Sequence, residues 1–288
     1  MADQARDAFD PRVTPARPEL AAKYLEGRVA AARFVEGAVR EVINPQAPVR
    51  RSPSPDAPLD TEALRGERVT VYETTAEGWV WGQLESDGYV GWLPANALRA
   101  PGPAPTHRVA VLRTLVFPGP SIKLPPIDAL SLGCRLPIAR IEEPLAVIAS
   151  GGYVPARHLA PLGSKEVDLV LVAEKFLGTP YLWGGKTSLG LDCSGLVQIA
   201  AATCGIACPR DSDMQEQALG APLALADDLS NLRRGDLAFW KGHAAIVRDG
   251  ATLIHANAFH MAVAIEPIQD AIARIRATGC EPSSARRL

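Results

Sequence analysis

Long apolar runs, clusters of basic residues and regularly spaced cysteine pairs are all missing from this chain of 288 residues. Residues 1–20, MADQARDAFDPRVTPARPEL, combine charges with prolines and contain no apolar stretch of signal-peptide or membrane-helix length. We therefore expect a cytoplasmic protein with no membrane association. The net charge is only −2 and the lysines and arginines are scattered, so nucleic acid is not an expected partner.

Cysteine is sparse and odd in number. The five cysteines do not suggest a disulfide framework, and reduced thiols fit the missing export signal. Cys204 and Cys208 are four positions apart, but no second pair of Cys or His lies near them at zinc-finger spacing. We expect no metal site and no organic cofactor.

The remaining composition is that of a globular protein with two or three domains. Residues 1–28 are polar and proline-bearing, which predicts an N-terminal arm that is either mobile or draped over the body. Short apolar runs then alternate with turn signals, which predicts a small all-β domain at 29–101. The five prolines between positions 44 and 58 exclude a central strand there and favour a long loop inside this domain or a linker.

An internal repeat predicts a second β domain. GWLPANAL (91–98) and GYVPARHL (152–159) share the form Gly-aromatic-aliphatic-Pro-Ala-x-x-Leu at an offset of 61 residues. Two copies of one supersecondary unit explain such an offset, with the second copy at 105–162. From 163 to 288, two segments with helical spacing, SKEVDLVLVAEKFLG and CSGLVQIAAATCG, precede the short strands DLAFW, HAAIV and TLIHAN, which predicts an α+β domain.

Cys193 stands out among the cysteines because it is expected in the first turn of a helix. Asp192 is a suitable N-cap and Gly205 a suitable stop signal. The unpaired N–H groups and the positive end of the helix dipole stabilise a thiolate at this position. The alternative is a buried structural thiol, which is common for free cysteine.

A thiolate nucleophile needs a base, and His243 and His255 lie on two predicted strands joined by a short turn. A three-residue loop ending in Gly250 would place the two imidazoles directly opposite each other on one face of the hairpin. A two-residue loop would place them on opposite faces. A pairing of Cys193 with these histidines therefore depends on the loop length.

The motifs FLGTPYLWGGKTSLGLDCSGLVQ, PRDSDMQ, RRGDLAFWKGHAAIV and LIHAN resemble, in this order, those of the NlpC/P60 cysteine peptidases, over about 173–265. The two β units resemble bacterial SH3-like domains. The resemblance implies a multidomain chain: two small all-β SH3-like barrels followed by an α+β papain-like domain. The layout is similar to γ-D-glutamyl-L-diamino acid endopeptidases of the dipeptidyl-peptidase VI type, which act on muropeptides.

The resemblance implies Cys193 as nucleophile, His243 as base and then acid, and His255 as the group that orients the His243 imidazole. Tyr181 matches an active-site position near the nucleophile or the oxyanion, and its alternative is a core aromatic residue. Four further positions match residues around the free α-amine of the substrate, namely Asp192, Ser194, Asp211 and Ser212. For Asp192 and Ser194 a role as helix caps is the alternative.

In SH3-like domains of this type, a tyrosine and an acidic residue can close the groove and limit it to peptides with free N-termini. The first β unit holds four of the sixteen aromatic residues between positions 79 and 92. Tyr89 and Glu67 are our candidates. The alternatives to Glu67 are Glu73, Glu77 and Glu85.

The implied activity is hydrolysis of the γ-D-glutamyl bond to a diamino acid in muropeptides with a free N-terminal L-Ala, as part of cell-wall peptide recycling. No obligate protein partner is expected. Two other functions stay open: an amidase or endopeptidase acting on intact peptidoglycan, and a non-catalytic SH3-like module that binds the cell wall. The residues leave open whether lysine or meso-diaminopimelate follows the D-glutamate.

Overall fold

The computed structural model describes residues 9–226 and 229–288. Its first element is a three-stranded sheet of order β1-β2-β3 with a 3-10 turn at Lys23–Leu25. The strands are β1 (Ala16–Arg17), β2 (Leu20–Ala22) and β3 (Phe34–Val35). Leu20 is fully buried against Trp81 and Trp92. Residues 9–28 of the predicted arm therefore lie on the first β unit, and residues 1–8 lie outside the described residues.

A seven-stranded sheet of order β10-β4-β7-β8-β9-β5-β6 makes up the first β unit. Its strands are β4 (Ala38–Val42), β5 (Gln46–Arg50), β6 (Leu59–Leu64), β7 (Arg68–Thr74), β8 (Trp79–Leu84), β9 (Val90–Pro94) and β10 (Leu98–Arg99). The prediction that the proline-rich segment contains no inner strand is wrong, since β5 lies between β9 and β6. Strand β5 pairs with β9 only at Arg50–Trp92. Pro48, which has no amide hydrogen to donate, therefore breaks no hydrogen bond on the β9 side of the strand.

Three small antiparallel sheets follow in residues 107–161. Their orders are β14-β11-β18, β12-β13 and β15-β16-β17. The strands are β11 (His107–Val109), β12 (Arg113–Val116), β13 (Asp128–Ser131), β14 (Arg135–Leu136), β15 (Ile138–Glu142), β16 (Leu145–Ile148), β17 (Tyr153–Pro155) and β18 (Leu159–Pro161). Both copies of the repeat contain a strand that ends at its proline, followed by a 3-10 turn, Ala95–Ala97 in the first and Ala156–His158 in the second.

The last part of the chain joins four helices to a six-stranded antiparallel sheet of order β21-β26-β22-β23-β24-β25. The helices are α1 (Leu169–Glu174), α2 (Cys193–Thr203), α3 (Ser212–Ala218) and α4 (Ile268–Arg276). The strands of this sheet are β21 (Ala221–Leu223), β22 (Leu237–Trp240), β23 (His243–Val247), β24 (Thr252–Asn257), β25 (Ala262–Pro267) and β26 (Pro282–Arg287). Two further strands, β19 (Lys186–Thr187) and β20 (Gly190–Leu191), pair with each other in a separate two-stranded sheet. Both predicted helices are confirmed, although α1 starts only after its N-cap Asp168.

Helix α2 packs on strands β23 and β24, which positions the N-terminus of α2 beside the start of β23. The apolar face of α2, including Leu196 and Val197, belongs to one buried cluster that extends into the second β unit. The first β unit has a separate cluster of its own. None of the helices within 9–226 and 229–288 is long and apolar enough to cross a membrane.

Candidate active site

Cys193 is the first residue of α2 and only 6% exposed. The Asp192 carboxylate caps the helix by accepting the Gly195 amide at 2.7 Å, as expected for an N-cap. The Gly184 amide donates to the other carboxylate oxygen at 2.8 Å. Gly195 has no tolerance for a side chain, because a Cβ there would lie 2.3 Å from the carbonyl oxygen of Gly185. The sequence Asp-Cys-Ser-Gly thus matches the local packing at each position.

The histidine hairpin has a longer loop than we expected. Ile246 pairs with Ile254, and Val247 pairs with Leu253 instead of Ala251, so the predicted three-residue loop of 248–250 is wrong: residues 248–251 connect the two strands. The reason is Asp249, whose carboxylate accepts the amides of residues 251 and 252 at 2.9 and 2.8 Å and so stabilises a wider turn.

His243 and His255 nevertheless lie on the same face of the sheet. The register differs from the expected one by two positions, and side chains alternate between faces with a period of two residues, so their side is unchanged. The two residues are diagonal neighbours instead of direct partners. Their ring centroids are 5.1 Å apart, and His243 Nε2 lies 2.9 Å from His255 Nδ1.

Glu266 extends this pair into a chain of hydrogen bonds and was not predicted from the sequence. Its Oε2 lies 3.0 Å from His255 Nε2, and Arg274 binds the same carboxylate through Nε at 2.9 Å and Nη2 at 2.7 Å. These contacts hold the pKa of Glu266 at about 2, despite the opposing effect of its burial. Glu266 lies on β25, two positions from Ala264, the partner of His255, and only the register between β24 and β25 identifies it.

An ionised Glu266 sets the proton positions along the chain. A carboxylate can only accept, so His255 Nε2 must donate to it and His255 Nδ1 becomes an acceptor. His243 Nε2 then donates to His255 Nδ1, which leaves His243 Nδ1 without a proton. A neutral His243 in this tautomer is a base.

Burial favours the uncharged forms of both Cys193 and His243. Burial, followed by the charge of Asp192, raises the pKa of the Cys193 thiol to about 11. The backbone N–H of Ala244 donates a hydrogen bond to the sulfur and opposes this shift, which places the sulfur at the start of β23. Burial, then the His255 charge, lowers the pKa of His243 to about 3. Burial thus opposes the thiolate that the helix N-terminus favours.

Arg210 is the second residue that was not predicted, and it binds the cap of α2. It is 1% exposed and donates to the Asp192 carboxylate from two nitrogens, at 2.9 and 2.8 Å. It also donates to Ser194 Oγ at 2.8 Å and to Thr61 Oγ1 of the first β unit at 2.9 Å. Asp192 is therefore fully engaged as helix cap and as partner of Arg210. The only sequence signal was the position of Arg210 beside Asp211.

Asp211 and Tyr89 meet in the cleft that contains Cys193. The cleft has a volume of about 940 Å³, and Tyr181, Asp192, Ser194 and Ser212 also line it. The hydroxyl of Tyr89 donates to Asp211 Oδ2 at 3.2 Å. Burial raises the pKa of Asp211, although the neighbouring arginines lower it. Burial also raises the pKa of Tyr181, so Tyr181 lines the site as a neutral phenol.

Glu67 does not belong to this cleft, and its assignment to the substrate groove is wrong. After a turn at Gly66 its side chain folds back to accept the Leu64 amide at 2.7 Å and to pair with Lys186 at 3.5 Å. Glu67 lines a second cavity of about 370 Å³. Among the described residues, none of the alternatives Glu73, Glu77 and Glu85 lines the cleft.

The acidic residue that the first β unit contributes to the cleft is Asp60, which pairs with Arg51 at 2.6 Å. Asp60 lies on β6, two residues after the proline-rich segment of 44–58, for which the sequence favours a long loop or a linker. For this reason Asp60 was not among the residues predicted for the site. Together with Asp211, it gives the cleft carboxylates from two different parts of the chain.

Comparisons with known proteins agree with this arrangement. Residues 178–280 match the model of the NlpC/P60 family, and residues 49–98 match that of the bacterial dipeptidyl-peptidase Sh3 domain. The chain thus carries an NlpC/P60 domain and a bacterial SH3 domain. The SH3 match covers only the first of the two β units, so a second SH3-like barrel at 105–162 stays a prediction.

Several curated proteins are similar to this chain. The γ-D-glutamyl-L-lysine dipeptidyl-peptidase of Bacillus cereus is 29% identical over 243 residues, covering 73% of this chain and 71% of that protein. The protein of the same name from Bacillus subtilis is 29% identical, covering 69% and 72%. A solved NlpC/P60 family protein from Bacillus cereus superimposes with a TM-score of 0.71 at 21% identity, over 87% of this chain and 99% of that one, which supports the fold. These relatives support a peptidase.

Proposed function

We propose that this chain is a cysteine peptidase that hydrolyses the γ-D-glutamyl-L-diamino acid bond of muropeptides with a free N-terminal L-Ala and releases L-Ala-γ-D-Glu. The observation that carries the proposal is the position of Cys193 at a helix N-terminus and in one cleft with Asp211. The sulfur accepts the amide of Ala244, the residue after His243, and His243 starts the hydrogen-bonded chain to His255 and Glu266. The names of the similar Bacillus proteins support the same substrate class.

Cleavage begins with proton transfer. His243 Nδ1 removes the thiol proton of Cys193 while the sulfur attacks the γ-carbonyl carbon of D-glutamate, so no thiolate–imidazolium pair has to form before the substrate binds. The amides of Cys193 and Ser194 occupy the first turn of α2, where the helix itself offers no acceptor, and they are suited to stabilise the oxyanion. His255 and Glu266 keep the charged imidazole oriented.

The tetrahedral intermediate formed by this attack then breaks down, and the resulting thioester is hydrolysed. The C–N bond breaks, His243 returns its proton to the departing amine of the diamino acid, and a thioester between Cys193 and the dipeptide remains. Water, deprotonated by His243, attacks the thioester, and the dipeptide leaves with a new carboxylate as the thiol is restored. The protein's own residues carry out each of these steps.

Asp211, Tyr89 and Asp60 form the proposed subsite for the substrate's α-ammonium. Asp211 is supported as the main partner because its carboxylate does not cap α3, although it occupies the N-cap position. It turns toward the cleft, where Tyr89 donates to it. An acylated amine brings no charge to this partly buried carboxylate, whose ion pair with Arg12 uses only Oδ2, and would bind less well. Asp192 is a helix cap in this proposal because Arg210 and Gly195 already occupy it.

The walls of the cleft favour small soluble peptides over intact peptidoglycan. The first β unit and the N-terminal segment both line it, so a cross-linked strand would have to pass between them. The proposal includes muropeptide recycling in the cytoplasm as the setting. The five cysteines, all within the described residues, are free thiols, which is consistent with a reducing compartment.

The test is mass spectrometry of L-Ala-γ-D-Glu-L-Lys and its meso-diaminopimelate analogue after incubation with the purified protein. We expect release of L-Ala-γ-D-Glu from at least one peptide and little release from the N-acetylated forms. The Cys193→Ala variant serves as the background control. Equal cleavage of free and acetylated peptides would contradict the ammonium subsite, and equal activity of Cys193→Ala would contradict the nucleophile.

A further inference from the structure

Arg12 reaches from the N-terminal segment into the acidic end of the cleft. Its guanidinium pairs with Asp10 at 2.7 Å, with Asp211 at 2.8 Å and with Asp213 at 2.7 Å. These contacts raise the pKa of Arg12, so it stays charged. Arg12 thus joins the N-terminal segment to the start of α3, 199 residues further along the chain.

The segment around Arg12 is fixed to the first β unit. The Val90 amide donates to the Arg12 carbonyl oxygen at 2.8 Å, and Gln83 Nε2 donates to the carbonyl oxygen of Val13 at 2.9 Å. Leu20, further along, is fully buried. Arg12 is therefore part of the cleft wall, held in place next to Tyr89.

Arg12 occupies one side of Asp211. Among the described residues, the hydrogen bonds to this carboxylate come from Arg12 Nη1 and the Tyr89 hydroxyl, and both reach Oδ2. Oδ1 remains for a cationic ligand. The Arg210–Asp192 ion pair also fixes the distance from Asp211 to the nucleophile. Arg210 directly precedes Asp211 in the chain, and Asp192 directly precedes Cys193.

We propose that Arg12 is a specificity-determining residue that closes the amine end of the substrate cleft. Arg12 holds Asp211 with Oδ1 facing a terminal ammonium, and its side chain, with Asp10 and Pro11, occupies the direction in which an N-acyl group or a preceding residue would extend. The cleft then accepts a substrate only if its free N-terminus lies two residues before the scissile bond. This inference rests on the proposed function.

The test compares kcat/KM for L-Ala-γ-D-Glu-L-Lys, its N-acetyl form and Gly-L-Ala-γ-D-Glu-L-Lys. In Arg12→Ala we expect the preference for the free peptide over both blocked peptides to fall about tenfold, the size of one lost charged hydrogen bond. The loss appears in KM of the free peptide, with kcat little changed, because Arg12 does not touch the reacting atoms. Arg12→Lys, which retains the charge but cannot bind two carboxylates in a fork, should lie between wild type and Arg12→Ala.

The matched control is Arg33→Ala. Arg33 also lies in the N-terminal region and pairs with an acidic residue, Glu73, at 3.2 Å, but it does not line the cleft. A general loosening of the segment would lower the activity on all three peptides equally and leave the preference unchanged. An unchanged preference in folded Arg12→Ala, with a discriminating wild type, would overturn the role of Arg12 alone. A wild type that does not discriminate would overturn the proposed function instead.

Discussion

Replacing Glu266 by Gln should disable the base without changing the shape of the site. Glu266 binds Arg274 through both oxygens and His255 through Oε2. An amide must place its NH₂ group against one of these donors. If that group faces His255, the proton order of both histidines reverses and His243 Nδ1 carries a proton, so it can no longer accept one from Cys193.

The expected loss of activity in Glu266→Gln comes from the changed tautomer of His243 and not from the lost charge of Glu266. Burial and His255 affect the pKa of His243 more than Arg274, which lowers it, and Glu266, which raises it, so the lost Glu266 charge is the smaller effect at the base. One buried hydrogen bond to a charged group is worth about 1.5–3 kcal/mol, or roughly 10-fold to 100-fold. A wrong tautomer in a serine-protease triad costs about 10⁴-fold. We therefore expect kcat/KM of Glu266→Gln to fall by about 10²-fold to 10⁴-fold.

The assay is steady-state kinetics on the free-amine peptide, combined with ¹⁵N NMR of the histidine side chains. The loss should appear in kcat, and the resonances of His243 should show the proton moved from Nε2 to Nδ1. Glu281→Gln is the matched control, since Glu281 forms the same two-point pair with Arg276, at 2.7 and 2.9 Å, on the surface. Activity of Glu266→Gln within about threefold of wild type, or unchanged histidine tautomers, would refute the reasoning.

Three further predictions concern the other parts of the site. Arg210→Met should lower the free energy of unfolding by about 3–5 kcal/mol, because it leaves the buried Asp192 without its ion pair. Urea denaturation measures this loss, and a loss below about 1 kcal/mol would contradict a structural role for the pair. KM for the free-amine peptide should rise as pH falls through the raised pKa of Asp211, since the protonated acid no longer attracts an ammonium, and this rise should vanish in Asp211→Asn. Cys193→Ala should lose activity, whereas Cys208→Ala, at a partly buried thiol outside the cleft, should retain it. Equal effects of the two variants would contradict the assignment of the nucleophile.

Local sequence determined the start of α2. Asp192 caps the helix and Gly205, with φ of 76°, ends it, because both effects act within a few residues of backbone. The shared face of His243 and His255 was also predictable, since only an even register shift separated the expected pairing from the observed one. The exact register was not, because Asp249 stabilises a wider turn than the glycine signal suggested.

Tertiary structure alone decided the partners of these groups. Glu266 reaches His255 only because β25 lies beside β24, and Arg12 reaches Asp211 only because the N-terminal segment packs on the first β unit. The pKa of Cys193 followed the same rule: the helix start predicted a lower value, whereas burial in the assembled fold raised it. Caps and turns depend on neighbours in sequence, whereas desolvation and charge pairing depend on which distant segments meet in space.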